Sequence, residues 1–132
     1  MHEVIDILDY DMTRDIKVLN EKTGTIDECF DDSDIACKNC FGFVKKGKSY
    51  NFKIALFGNF EDEETPDTVK CLVNKEVMIG AGKFVEVFIG DDRYYVFCGE
   101  LPDGFQGDSF FYCYTRKDLI QVDDVIYSHL CY

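Results

Sequence analysis

Tryptophan is absent from this chain, and proline and histidine occur only twice each. Both histidines, His2 and His129, sit near the chain ends, so histidine-based general-base chemistry has little to work with. His129 and Cys131 share a strand face on paper, but the end of a chain is a poor place to preorganise a dyad. Neither G-x-S-x-G, H-E-x-x-H, a phosphate-binding P-loop nor G-x-G-x-x-G occurs. No reaction is named by a motif, and a non-catalytic protein is expected. No apolar run approaches the ~18 residues that cross a membrane as a helix. The N-terminal "MHEVIDILDYD" lacks the basic and apolar regions of a secretory signal. With so little proline and only scattered glycine, no linker or low-complexity stretch stands out. The 132 residues are expected to form one β domain, 1–132.

Basic charge is also scarce. Fourteen Lys and Arg face 26 Asp and Glu, for a formal net charge of −12. Such a field disfavours nucleic acid and anionic membrane and favours a basic partner. Its distribution is uneven: residues 1–34 carry −8, residues 35–60 carry +5 with no acid, and residues 61–68 carry −5.

What is present is apolar and aromatic: 46% hydrophobic residues, with 12 Phe and 8 Tyr, too apolar for a disordered chain. The dominant period is two. In "YNFKIALF", Tyr50, Phe52, Ile54 and Leu56 share one face, and Asn51, Lys53, Ala55 and Phe57 the other. "TVKCLVNKEVMI" alternates likewise, and "KFVEVFIGDDRYYVFCG" reads as a hairpin turning at Gly-Asp-Asp. "EVIDILDY", "DIKVLN", "TIDECF", "SFFYCYT" and "LIQVDDVIY" add further strands, the last broken at Asp123-Asp124. "NFEDEETPD" and "ELPDGFQGD" read as loops, and 31–40 and 116–121 are the places for a short helix. Eight or nine short strands imply an all-β sandwich or small barrel. The succession over 47–98 resembles the opening meander of an OB-type barrel.

Seven cysteines, an odd number, with no export signal imply reduced thiols and a cytoplasmic location. Cys37-Lys38-Asn39-Cys40 has zinc-chelating spacing, but its second pair is missing; Cys29 or the His129–Cys131 pair would have to complete it. No metal or other cofactor is expected. The acids Asp27, Glu28, Asp31, Asp32 and Asp34 do not make a calcium loop. Counted from Asp27, the required glycine and glutamate positions hold Asp32 and Lys38; counted from Asp31, they hold Ala36 and Gly42.

Two binding surfaces follow. The first is acidic, formed by Asp27, Glu28, Asp31, Asp32 and Asp34 with Glu61, Asp62, Glu63 and Glu64, and directed at a basic protein. By analogy, this is the profile of small inhibitors, immunity proteins and phage-borne antagonists of host defence. The second, alternative surface is an OB-like oligonucleotide or ligand site within 41–58, using Phe41, Phe43, Lys45, Lys46, Lys48 and Lys53. Within it, the alternation already assigns Tyr50 and Phe52 to the core.

Overall fold

A computed structural model describes residues 1–33 and 40–127. Ten strands occur among them. In chain order they are β1 His2–Asp9, β2 Arg14–Asn20, β3 Ile26–Asp31, β4 Ser49–Tyr50 and β5 Phe52–Glu61. Then come β6 Val69–Ile79, β7 Gly82–Ile89, β8 Asp92–Phe97, β9 Ser109–Val122 and β10 Val125–Ile126. All belong to one sheet ordered β4-β1-β2-β3-β9-β5-β8-β7-β6, with β10 paired to β9. β6 returns to pair with β9 as well, so β9, β5, β8, β7 and β6 make a partial ring. This is the small all-β barrel-or-sandwich class that the two-residue period implies.

The connectivity differs from an OB-type opening. β6, β7 and β8 form an antiparallel meander, but β5 does not lead into it. β5 lies between β9 and β8, parallel to β8 through the Ala55–Tyr95 pair. The long β9 separates β5 from β6 because one of its edges takes β5 along nearly its whole length. Its other edge takes β6 at residues 109–112 and then β3 at Asp118.

β9 also replaces the short helix expected at 116–121. "RKDLIQV" has no strong intrinsic preference. The ladder to β5 decides, because it buries Leu119, Ile120 and Val122 while satisfying every second backbone group. The other expected helix, 31–40, lies mostly outside the described residues. The expected strand "YNFKIALF" breaks at Asn51, whose N–H donates to Asp123 Oδ1 at 2.9 Å while its carbonyl accepts the Asp123 N–H at 2.8 Å.

The alternation across β4 and β5 is realised. Tyr50, Phe52, Ile54 and Leu56 are buried in the larger core with Val4, Ile16, Val18, Val87, Val96 and Tyr112. Ala55, on the opposite face, joins a smaller core with Ile79, Phe84, Tyr95 and Ile120. Both faces of the central strands are thus covered, and each fully buried large side chain contributes about 1.5–3 kcal/mol.

One glycine is required by close approach. β5 and β9 change register between Phe57 and Gly58, and a Cβ at Gly58 would lie 2.0 Å from the Cys113 carbonyl oxygen. Gly58→Ala is expected to lower stability by about 3 kcal/mol, since the obstacle is backbone. Gly24→Ala, with positive φ but open space around it, serves as control at about 1 kcal/mol. Urea unfolding of the two variants checks this; a Gly58→Ala loss no larger than that of Gly24→Ala contradicts the close approach.

Candidate functional site

The residues of the expected acidic surface separate into two kinds. In "IDECFD" the period of two puts Asp27, Cys29 and Asp31 on the inward face and Ile26, Glu28 and Phe30 on the outward one. Asp27 and Asp31 are buried, 4% and 2% exposed, and cannot be contact residues. Each instead holds an internal cation. Arg14 donates to Asp31 Oδ2 from Nε at 3.1 Å and from Nη2 at 2.8 Å. Its Nη2 also donates to the Phe41 carbonyl at 2.6 Å, anchoring the chain beyond β3. Asp27 Oδ1 accepts from Lys117 Nζ, and its Oδ2 accepts from the Tyr94 hydroxyl at 2.8 Å. The Lys117 ammonium lies 5.2 Å from the Tyr94 ring centre and 5.1 Å from that of Tyr114. Burial alone lowers the Lys117 pKa, but the hydrogen bond and the charge of Asp27, with smaller contributions from Tyr114 and Cys29, together outweigh it and the net shift is upward. The sequence signal for these buried aspartates was Cys29 between them on the same face.

Glu28 is exposed, Asp32 is half-buried, and Asp34 lies outside the described residues. Asp62, Glu63 and Glu64 are exposed in the loop after β5, with Glu61 at that strand's end. The two acidic stretches do not merge. Phe30 pairs with Asp118, whereas Glu61 pairs with Phe111, seven residues earlier on β9. Along the strand that separation is roughly 20 Å.

The alternative surface is also divided. Phe41 is fully buried in the larger core. Lys45, Lys46 and Lys48 are exposed on a turn tied to β1, where the Gly47 N–H donates to the Val4 carbonyl and Lys46 lies 3.8 Å from Asp6. Phe43, exposed, meets Tyr50 edge-on at 5.8 Å. Lys53 lies 5.7 Å from the Tyr95 ring centre, beside a different cleft. Cys40 packs on the larger core, while Cys37, Cys131 and His129 lie outside the described residues. Cys29 is buried, and burial pushes its thiol pKa up, away from the thiolate that zinc needs. Cys29, Cys71, Cys98 and Cys113 are free thiols. Among the described residues no three His, Cys, Asp or Glu side chains gather as a metal site, and no helix is long and apolar enough to cross a membrane.

The sheet instead assembles a surface that the linear sequence does not display. Directly paired residues share a face, so Leu8, Asp15 and Phe30 form one outward row across β1, β2 and β3. Asp6, Lys17 and Glu28 form the next. On β9, Arg116 lies between two rings, 5.0 Å from the Phe30 centre and 4.6 Å from that of Phe57. Asp118 fixes its guanidinium, at 2.5 Å from Nε and 3.1 Å from Nη2. Beside this stack runs a shallow groove of about 410 Å³, bordered by Asp15, Glu28, Tyr114 and Lys117. Leu8 and Ile26 are more than half exposed on the same face. No family model, curated protein or solved structure matches this chain, so the chemistry of the face stands on its own geometry.

Proposed function

We propose that this chain is a non-catalytic binding domain whose outward β1–β2–β3–β9 face docks a protein with a basic surface. The observation that carries this reading is the Phe30–Arg116–Phe57 stack, set among exposed Leu8 and Ile26 and the acids Asp15 and Glu28. Aromatic residues and arginine dominate interface energetics, and a prepaired, stacked arginine loses little freedom on docking. Asp118 offsets the Arg116 charge, so the flanking acids and the −12 of the whole chain set the sign of the field. That field speeds encounter with a cationic surface and selects for it. An inhibitor or immunity-type protein acting on a basic enzyme is the form this takes. The buried ionic groups support a non-catalytic role: Asp27, Asp31 and Glu86 are each engaged by internal donors.

The test is affinity capture with wild-type and Glu28→Lys/Phe57→Ala protein at low and high salt. A basic protein retained by the wild type, weakened at least ~30-fold by the double substitution (about 2 kcal/mol) and weakened by salt, is the expected result. Capture that ignores the substitutions, or no capture of any basic protein, removes the proposal.

A further inference from the structure

β6 stands at one end of the sheet order, and its far part has a single neighbour. β7 accompanies it from Leu72 to Ile79. β9 accompanies its other edge only from Val69 to Leu72, opposite Tyr112 to Ser109. The Val73 N–H then donates to the Asp108 carbonyl at 2.8 Å, and beyond it no backbone bond closes that edge among the described residues. A bulge between Val73 and Lys75 falls where the two strands part, and a bulge bends the strand that carries it. In an antiparallel pair, alternate residues aim their N–H and C=O groups away from the partner. Residues 74–79 therefore present a row of unpaired donors and acceptors.

The opposite end of the sheet is blunted, and this one is not. β1 is covered by β4 at His2 and Glu3 and by the Gly47–Lys48 turn at Val4, and its Ile7 N–H is taken by Asp6 Oδ1 at 3.0 Å. Along 74–79 there is no proline, and the two charges are matched from β7: Glu76 by Lys83 Nζ at 3.2 Å, Lys75 by Glu86 directly across. Met78, beside them, is 64% exposed. A cleft of about 490 Å³ adjoins this stretch, bounded by β6, β7 and the loop that leads into β9. Val73 and Leu101, both half-buried, belong to its apolar side, and Glu76, Lys83 and Asp103 to its charged one. With Glu76 and Lys83 cancelling, exposed Asp103 leaves the cleft negative. The loop over 100–108 carries three acids and no base.

We infer that the free edge of β6 takes an extended segment of a partner protein as an added strand, one with an apolar centre and basic flanks. Main-chain bonds to residues 74–79 supply the affinity, and alternate side chains of the segment read what lies beside the edge. Its apolar side chains meet Met78, Val73 and Leu101; its basic ones meet Asp103, the acids of the loop and the −12 of the chain. A second copy of this chain fits less well. A two-fold antiparallel pairing centred on Lys75 or on Glu76 sets like charges opposite one another, and both copies carry −12. The edge shares no residue with the Phe30–Arg116–Phe57 face.

The experiment is fluorescence anisotropy of the whole chain with a labelled synthetic peptide of about eight residues, valine and leucine at its centre and lysine at both ends, at about 50 mM salt. Amide hydrogen exchange is read alongside. The peptide is expected to bind with Kd below about 100 μM and to slow exchange within 74–79 at least about threefold. Of two versions N-methylated at alternate amides, one should bind at least about tenfold more weakly, since only one set of N–H groups faces β6. A version with glutamate for lysine should also bind at least about tenfold more weakly. Asp103→Lys, at an exposed position, should weaken the lysine peptide at least about threefold without changing the circular dichroism. Absence of binding, full affinity of both N-methylated versions or of the glutamate version, indifference to Asp103→Lys, or protection outside 74–79 overturns the inference. Self-association of the free chain that by itself protects 74–79 gives the edge to a second copy and overturns it too. The Glu28→Lys/Phe57→Ala protein should bind the peptide unchanged, so failure here is separable from failure of the docking face.

Discussion

Lys117→Met is expected to destabilise the protein by about 3–5 kcal/mol, the cost of removing one partner from a buried ion pair. Asp27 is 4% exposed, and with Lys117 gone its carboxylate keeps only the Tyr94 hydroxyl among the donors described above. Methionine fills the same volume, so a cavity contributes little; the penalty is the uncompensated charge. A domain of this size is stable by about 5–15 kcal/mol, so about a fifth or more of the total is at stake. At a urea slope of about 2 kcal/mol per molar, the midpoint should fall by about 2 M. The double variant Asp27→Asn/Lys117→Met removes both charges while keeping an acceptor for Tyr94, and it should recover at least half of the loss. Tyr94→Phe, which costs one hydrogen bond to a charged acceptor, should lose about 1.5–3 kcal/mol. A Lys117→Met protein within about 1 kcal/mol of wild type contradicts a desolvated pair.

The second large effect is steep alkaline unfolding. Burial raises the pKa of Tyr94, with the Asp27 hydrogen bond adding to it, and raises that of Tyr112. Burial likewise pushes Tyr95 to about 12 and Cys71 to about 12, and pushes Cys29 upward too. In each case the folded state holds the proton more tightly than the unfolded chain, whose phenols titrate near about 10 and thiols near about 8.5. Stability is therefore intact below the unfolded values and declines as pH rises through them towards the folded ones. Lys117, whose pKa is also raised, adds to the same decline above about 10.4. Each group contributes a slope of about 1.4 kcal/mol per pH unit. Five phenols and thiols titrating together remove about 7 kcal/mol per unit, so the fold should be lost near about pH 11. Circular dichroism and tyrosinate absorbance recorded in parallel check this. They should change together in one cooperative step, while Tyr10, exposed at the surface, is outside the protected set. Tyrosinate forming gradually from pH 10 with urea stability unchanged shows the phenols to be accessible and contradicts the burial argument.

The period-two patterns made most of the strands legible, and with them the inward face of β4 and β5. Tyr50, Phe52, Ile54 and Leu56 alternate with less apolar neighbours, and a half-buried strand is the physical consequence. The β7–β8 hairpin was legible because Gly-Asp-Asp lies between two runs of β-branched and aromatic residues. "TRKDLIQV" was not: its residues suit several conformations, and only the ladder to β5 makes it the second half of a 14-residue strand. The acids of "IDECFDDSD" misled for a related reason. A charge run ordinarily marks a solvated turn, but Asp27 and Asp31 go inward because cations from elsewhere, Lys117 and Arg14, meet them there. Those partners are 90 and 17 residues away in the chain.

Composition and local alternation by themselves determined the all-β class, the strongly acidic surface and the identity of the central core residues, because these depend on hydrophobic period and charge, which are local quantities. Which strands adjoin was decided by tertiary structure: β9 separates β5 from β6, closes the partial ring and carries Arg116 between Phe30 and Phe57. The same pairing sends two predicted contact aspartates inside and leaves residues 74–79 of β6 with β7 as their one partner strand among the described residues. Strand order depends on which of many long-range pairings buries apolar area while matching buried charges, and no window of sequence contains both members of such a pair.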